Sequence, residues 1–171
     1  MNLVSTVAFL AVSVTGVQQP TMSRAAPKLT GSLFINSKEA PRIESGKVTL
    51  VHFWTFACHN CKANFAAYDR LFQGYGNKGL KVIGVHTPEL EFERKLENVQ
   101  EAVKREGIRW PILIDDQFDN WRRWKLEYWP TVYIVDRKGQ IRFTWAGELA
   151  WKGSNGEAQA LRVIEALLAE K

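Results

Sequence analysis

Cysteine is nearly absent from this chain: its 171 residues include two, Cys58 and Cys61. So few exclude a disulfide-stapled scaffold, and a chain of this length buries enough core to need neither disulfide nor metal as a brace. Histidine is scarce too, with His52, His59 and His86 the only three, which leaves a four-ligand zinc site a thin choice of donors. No apolar run reaches the ~20 residues of a membrane-spanning helix. No internal repeat, low-complexity tract or polybasic arm is visible, the densest basic run being Arg122-Arg123 with Lys125. The formal charge of +5 is therefore scattered over a solvated surface, and nucleic acid is not an expected partner. What is present, 46% hydrophobic and 24% charged residues, suits one ordinary globular domain and excludes wholesale disorder and fibrous repeats.

The amino end lacks charge altogether before Arg24. Leu3 to Val17 is mostly apolar and about the length of the hydrophobic region of a secretory signal, shorter than a membrane span. Val14-Thr15-Gly16 and Ala25-Ala26 are candidate cleavage sites. The missing Lys or Arg ahead of the run departs from the usual signal pattern, and an extra strand or a tail is the alternative. Export is expected, so the chain is expected to be periplasmic or secreted, or held by an uncleaved N-terminal segment. No cysteine follows the apolar stretch, so lipid attachment is not expected. Residues 1–26 read as a signal or N-terminal segment with the start of a linker, 17–32 as linker, and 33–171 as the folded domain.

Strand and helix signals alternate from there. Val48–Trp54 is a β-branched and aromatic run, a buried strand by composition. A helical pattern follows from His59 to Phe72, with Phe65, Tyr68 and Phe72 on one face and Gly74 closing it. Leu80–Val85 reads as a second buried strand. Glu89–Glu106 repeats Phe92, Leu96, Val99 and Val103 at helical spacing, with Gly107 as cap. Pro111–Ile114 is a short third strand, and Phe118, Trp121 and Trp124 mark a short helix. Thr131–Val135 and Ile141–Trp145 flank Arg137-Lys138-Gly139 as a hairpin. A last helix spans Glu157–Ala169, with Ser154 and Glu157 as a capping box. The order β-α-β-α-β-α-β-β-α predicts a layered α/β sandwich whose mostly parallel sheet is completed by an antiparallel hairpin.

Cys58-His59-Asn60-Cys61 falls where a buried strand ends and a helix begins. There, unpaired N–H groups and the positive end of the helix dipole stabilise a thiolate on the first cysteine. The second cysteine, one turn on, is placed to attack a mixed disulfide and release the partner. Half of a zinc site is the competing interpretation of a lone CxxC; the strand–CxxC–helix context favours redox chemistry. Pro130, immediately before the strand Thr131–Val135, is either a plain strand-entry proline or a cis proline exposing the backbone of Trp129 to an extended substrate.

These residues resemble a family. Phe53-Trp54 ahead of the CxxC and Pro130-Thr131 ahead of the fourth strand are similar to thioredoxin-like proteins. The finer match is to the extracytoplasmic TlpA-like branch, related to the AhpC/TSA and redoxin families, and within it to DipZ-type domains. It rests on Trp54-Thr55-Phe56-Ala57-Cys58-His59-Asn60-Cys61, on Gly84 to Glu89 and on Tyr128-Trp129-Pro130, and spans residues 33 to 170. The resemblance implies a three-layer α/β/α thioredoxin-like sandwich with a mixed sheet, thiol–disulfide exchange at Cys58 and Cys61, a cis Pro130, and Trp54, Trp129 and Thr131 near the bound substrate. Two departures matter. His52 stands where the pattern has an aspartate that shuttles a proton; it is either a neutral base near pH 7 or a core residue. The active-site helix also lacks its usual kinking proline, with none from Cys61 to Gly74.

His59 is either a tuning group, which as imidazolium would stabilise the thiolate, or a solvent-facing turn residue. Thr87-Pro88-Glu89 reads as an ordinary helix start. Trp121 and Trp124 read as packing. The expected activity is reduction of protein disulfides, with Cys58 as nucleophile and Cys61 as resolving thiol. No cofactor beyond that redox-active disulfide is expected. A separate membrane or soluble partner would recycle the pair, and a monomer is expected. The alternatives are a copper or zinc carrier using the cysteines and a nearby histidine, and third a thiol peroxidase. Against the last, Val51 replaces the proline that motif wants, and peroxide turnover would have to survive Cys61→Ser.

Overall fold

A computed structural model of the chain describes residues 24–170. The apolar run Leu3–Val17 and the cleavage site at Val14–Gly16 lie outside the described residues. The elements in chain order are β1 (Arg24–Ala25), β2 (Phe34–Ile35), β3 (Val48–Trp54), α1 (His59–Ala63), α2 (Phe65–Tyr75), β4 (Leu80–His86), α3 (Leu96–Arg105), β5 (Ile112–Ile114), α4 (Asp119–Trp124), β6 (Thr131–Val135), β7 (Gln140–Ala146) and α5 (Gly156–Ala169). One seven-stranded sheet runs in the order β1-β7-β6-β3-β4-β5-β2. Its parallel part is β3-β4-β5; the other four of the six pairings are antiparallel. The sheet is thus mixed rather than mostly parallel, because β6 returns against β3 and two short strands add antiparallel edges.

All seven residues of β3 are buried, as a central strand covered on both faces requires. Its alternate side chains feed two cores. Val48, Leu50 and Trp54 join residues of α2, α3 and α5, among them Tyr68, Leu71, Val99, Val103 and Ile164. Val51 and Phe53 face Trp124, Leu126, Tyr133 and Ile141, with Ala26, Leu29 and Ile43 of the N-terminal segment packed against them. This gives the three layers of an α/β/α sandwich. Residues 24–32, read above as linker, run along it: β1 pairs with β7, and the Thr30 N–H donates to Asn120 Oδ1 at 2.9 Å. The Ala25-Ala26 cleavage candidate therefore lies in and just after a paired strand.

Three local expectations change. The helix from His59 breaks at Asn64 without a proline, for a reason given below. The helix expected over Glu89–Glu106 is a 3-10 turn at Glu91–Arg94, an extended Lys95, and then α3. The Glu93 carboxylate accepts from the Glu89 and Leu90 N–H groups, both at 2.8 Å, folding this turn back on its own start. The capping box at Ser154 and Glu157 does not form. Asn155 is the N-cap, the Ser154 hydroxyl donates to the Leu149 carbonyl at 2.9 Å, and Glu157 pairs with Arg70.

Candidate active site

The chain leaves the buried strand β3 at Trp54 and turns through Thr55–Ala57 into α1, setting Cys58 at the N-cap. Cys58 and Cys61 are joined by a disulfide, their Cα atoms 5.3 Å apart. The Cys61 N–H donates to Cys58 Sγ at 3.1 Å, so the first sulfur occupies the place where a capping oxygen usually sits. The same N–H stabilises a thiolate when the bond is reduced. Cys58 is half-buried and Cys61 fully buried. Only the first sulfur faces a partner.

Cys58, His59 and Asn60 form one wall of an open cleft of about 420 Å³, with Glu89 and Glu127–Trp129 opposite. The Trp129–Pro130 peptide bond is cis. Around that turn the Thr131 hydroxyl donates to the Tyr128 carbonyl at 2.8 Å, and Trp121 lies against Trp129 with ring centroids 3.9 Å apart. Trp121, expected as plain packing, therefore supports the cis-proline turn, while Trp124 packs on Phe53 and Tyr133 as expected. Thr131 is buried with its hydroxyl spent on its own turn. Trp54 is fully buried within the same core as Cys61. Of the three residues expected at the substrate, only Trp129 lines the cleft. His59 does so too, exposed on the first turn of α1.

His52 lies inside the core. Its ring is fully buried, stacked on Tyr68 at 4.4 Å. Its Nε2 accepts from the Trp110 indole N–H at 2.8 Å, so the ring proton sits on Nδ1, which has no partner. Burial lowers its pKa to about 3. The one lone pair a base needs is engaged by the Trp110 indole, and the ring sits in the core. His86 is also buried, against Trp54 and Phe56, and desolvation lowers its pKa to about 4 despite the nearby Glu93 charge.

Sequence reasoning missed two side chains that hold this site together. Glu93 is buried, and its carboxylate accepts from the Thr55 hydroxyl and, at 2.8 Å, from the Ala57 N–H. It thereby ties the loop before Cys58 to the Glu89–Leu90 backbone. Burial pushes its pKa up, but hydrogen bonds from Thr55, Ala57, Leu90 and Glu89 outweigh that and leave it lowered. Asn64, buried between α1 and α2, donates to the Gly147 carbonyl at 3.1 Å and accepts from the Leu149 N–H at 2.8 Å. Gly147, at φ 92°, in turn donates its N–H to the Pro130 carbonyl at 2.7 Å. A left-handed residue at that point lets one turn join the active-site helix to the cis-proline loop. Neither contact had a sequence signal beyond a polar residue in a helical pattern.

Among the described residues, no three of His, Cys, Asp and Glu gather as metal ligands. His52 and His86 are both buried in aromatic surroundings. A disulfide-forming pair with one half-buried and one fully buried cysteine, at a strand-to-helix junction beside a cis proline on this sheet, defines a thioredoxin-like protein of the thiol–disulfide oxidoreductase type.

Comparison with known proteins agrees. The AhpC/TSA family model matches residues 9–144, and the chain belongs to that family. Protein DipZ of Mycobacterium tuberculosis (strain CDC 1551 / Oshkosh) is 39% identical over 103 residues, 60% of this chain but only 15% of that longer protein's length. Thiol-disulfide oxidoreductase YkuV of Bacillus subtilis (strain 168) is 31% identical over 123 residues, 71% of this chain and 82% of YkuV. A solved thioredoxin-like protein in its oxidized form superposes with a TM-score of 0.73 at 27% identity, over 87% of this chain and 97% of that one. A thiol-disulfide isomerase from Corynebacterium glutamicum gives 0.66 at 21%, over 85% and 98%, a likeness of fold.

Proposed function

We propose that this protein reduces disulfides of protein substrates outside the cytoplasm and is returned to its dithiol form by a separate redox partner. The observation that carries this is the joined pair itself, with Cys58 open to the cleft and Cys61 buried behind it. In the reduced protein the Cys58 thiolate attacks one sulfur of a substrate disulfide. The other substrate sulfur leaves as a thiolate and takes a proton. Cys61 then loses its proton and attacks Cys58 Sγ, which releases the second substrate thiol and regenerates the Cys58–Cys61 bond. Two electrons pass from the protein to the substrate.

The direction is supported by charge. Glu93 holds the Ala57 N–H beside Cys58, and Glu89 and Glu127 line the cleft, with no Lys or Arg in the lining. Negative charge around Cys58 disfavours its thiolate and so the reduced form, which makes the dithiol a better electron donor. Export is supported by the uncharged apolar run Leu3–Val17. Among the described residues no helix is long and apolar enough to cross a membrane.

The roles of the two cysteines are tested by substitution. Cys58→Ser abolishes disulfide exchange, and Cys61→Ser accumulates mixed disulfides with protein partners that dithiothreitol releases. A Cys61→Ser protein that turns over freely without trapped species contradicts these roles.

A further inference from the structure

The cleft over Cys58 has a charge opposite to that of the whole molecule. The chain carries a formal +5, yet the carboxylates in the cleft lining, Glu89 and Glu127, face no lysine or arginine there. Both residues are exposed, and no ion pair of the described residues uses either carboxylate. Three cations of the flanking segments are paired elsewhere: Lys62 with Glu106, Arg94 with Glu91 and the Asp116 carbonyl, Arg122 with Asp119. Lys95 and Lys125 are exposed but do not line the cleft. The other titratable side chains in the lining are His59, Tyr128 and Cys58 itself.

The rim suits a polypeptide rather than a small disulfide. Tyr128 is 62% exposed in the lining itself, and Leu90 and Phe92, one and three residues after Glu89, are 47% and 48% exposed. On the far side of Asn60 a second groove of about 330 Å³ opens between Trp145 and Trp151. Asn60 lines both grooves, so a chain crossing Cys58 has room on either side of its cysteine.

We propose that the cleft selects extended polypeptide segments with a lysine or arginine next to the cysteine, and disfavours anionic disulfides. This rests on the disulfide-exchange function proposed above. When a substrate cysteine bonds Cys58, its neighbouring residues lie about 4 Å along the chain, within reach of Glu89 and Glu127. A cation there is attracted to both carboxylates, and an anion is repelled by both. The effect is screened by salt because the cleft is open, the Debye length being about 10 Å at 0.1 M.

The test uses the reduced full-length protein and two synthetic peptide disulfides of equal length, one with lysines and one with glutamates flanking each cysteine. Glutathione disulfide serves as the small anionic comparison. The lysine peptide is expected to be reduced about tenfold faster than the glutamate peptide at low ionic strength, as two partly screened charge pairs allow. In Glu89→Gln/Glu127→Gln its rate falls and that of the glutamate peptide rises, so the ratio approaches one. Half-molar salt does the same to the unaltered protein, which keeps the test decisive if the double variant misfolds. Equal rates for the two peptides, a ratio that survives both the double variant and salt, or glutathione disulfide matching the lysine peptide overturns the proposal. Failure to reduce any of the three overturns the exchange function as well, which separates the two claims.

Discussion

His52 and His86 are held neutral by burial. An imidazole titrates near 6.5 in an unfolded chain; burial lowers His52 to about 3 and His86 to about 4. Below pH 6.5 the unfolded protein therefore binds protons that the folded protein refuses, and stability falls as the pH drops toward about 4. The loss is about 2 kcal/mol from each ring at pH 5. Both are fully buried, so solvent screening does not discount it. Denaturant midpoints measured from pH 7.5 to pH 4.5 check this: the curve should decline from about pH 6.5, and His52→Leu should remove about half of the slope. A flat profile between pH 7 and pH 5 contradicts the burial of both rings as neutral species. Close packing at this point is visible from the other side as well, since a Cβ on Gly84 would meet Ile112 Cδ1 at 2.5 Å and His52 Nε2 at 2.9 Å.

At the scale of elements, the break between α1 and α2 shows what periodicity reads well and what it misses. Phe65 and Tyr68, read from helical spacing as one face, are buried, whereas Phe72 of the same reading is half-buried and Leu71 takes the core position. The break at Asn64 could not be read, because its cause is a partner 83 residues away in the Gly147 carbonyl. Likewise, Glu93 sits in a stretch of charged residues that reads as a solvated helix face, yet it is buried by donors from Thr55 and Ala57. Polar groups buried by long-range hydrogen bonds leave no periodic trace. Asn64→Ala is expected to destabilise the protein by about 2–3 kcal/mol, because it leaves the Leu149 N–H and the Gly147 carbonyl without this partner. It should also slow disulfide exchange, since the bond from Gly147 to Pro130 hangs on the same turn. Thermal unfolding of the variant alongside its exchange rate tests this; a variant with unchanged midpoint and rate contradicts a supporting role for Asn64.

For the whole molecule, the alternation of buried strands and helices, the hairpin at β6 and β7 and the placement of Cys58-His59-Asn60-Cys61 were legible because each is a local signal. The strand order was not. The antiparallel return of β6 against β3 and the edge pairings of Arg24–Ala25 and Phe34–Ile35 depend on contacts distant in sequence. The β3–β6 pairing sets the chemistry, because it brings Trp129 and Pro130 to the end of β3 where Cys58 emerges. The molecule thus presents one half-buried sulfur open to a cleft, a fully buried second sulfur, and two carboxylates in that cleft's lining. Thiol–disulfide exchange uses that pair of sulfurs in either direction, and the reductive direction proposed above turns on its redox poise. Equilibrating the protein with defined dithiol buffers and following tryptophan fluorescence measures that poise. A reversible Cys58/Cys61 couple with a potential below about −230 mV is the predicted result; a couple above about −180 mV contradicts the reductive direction, and no reversible couple at all contradicts the exchange chemistry itself.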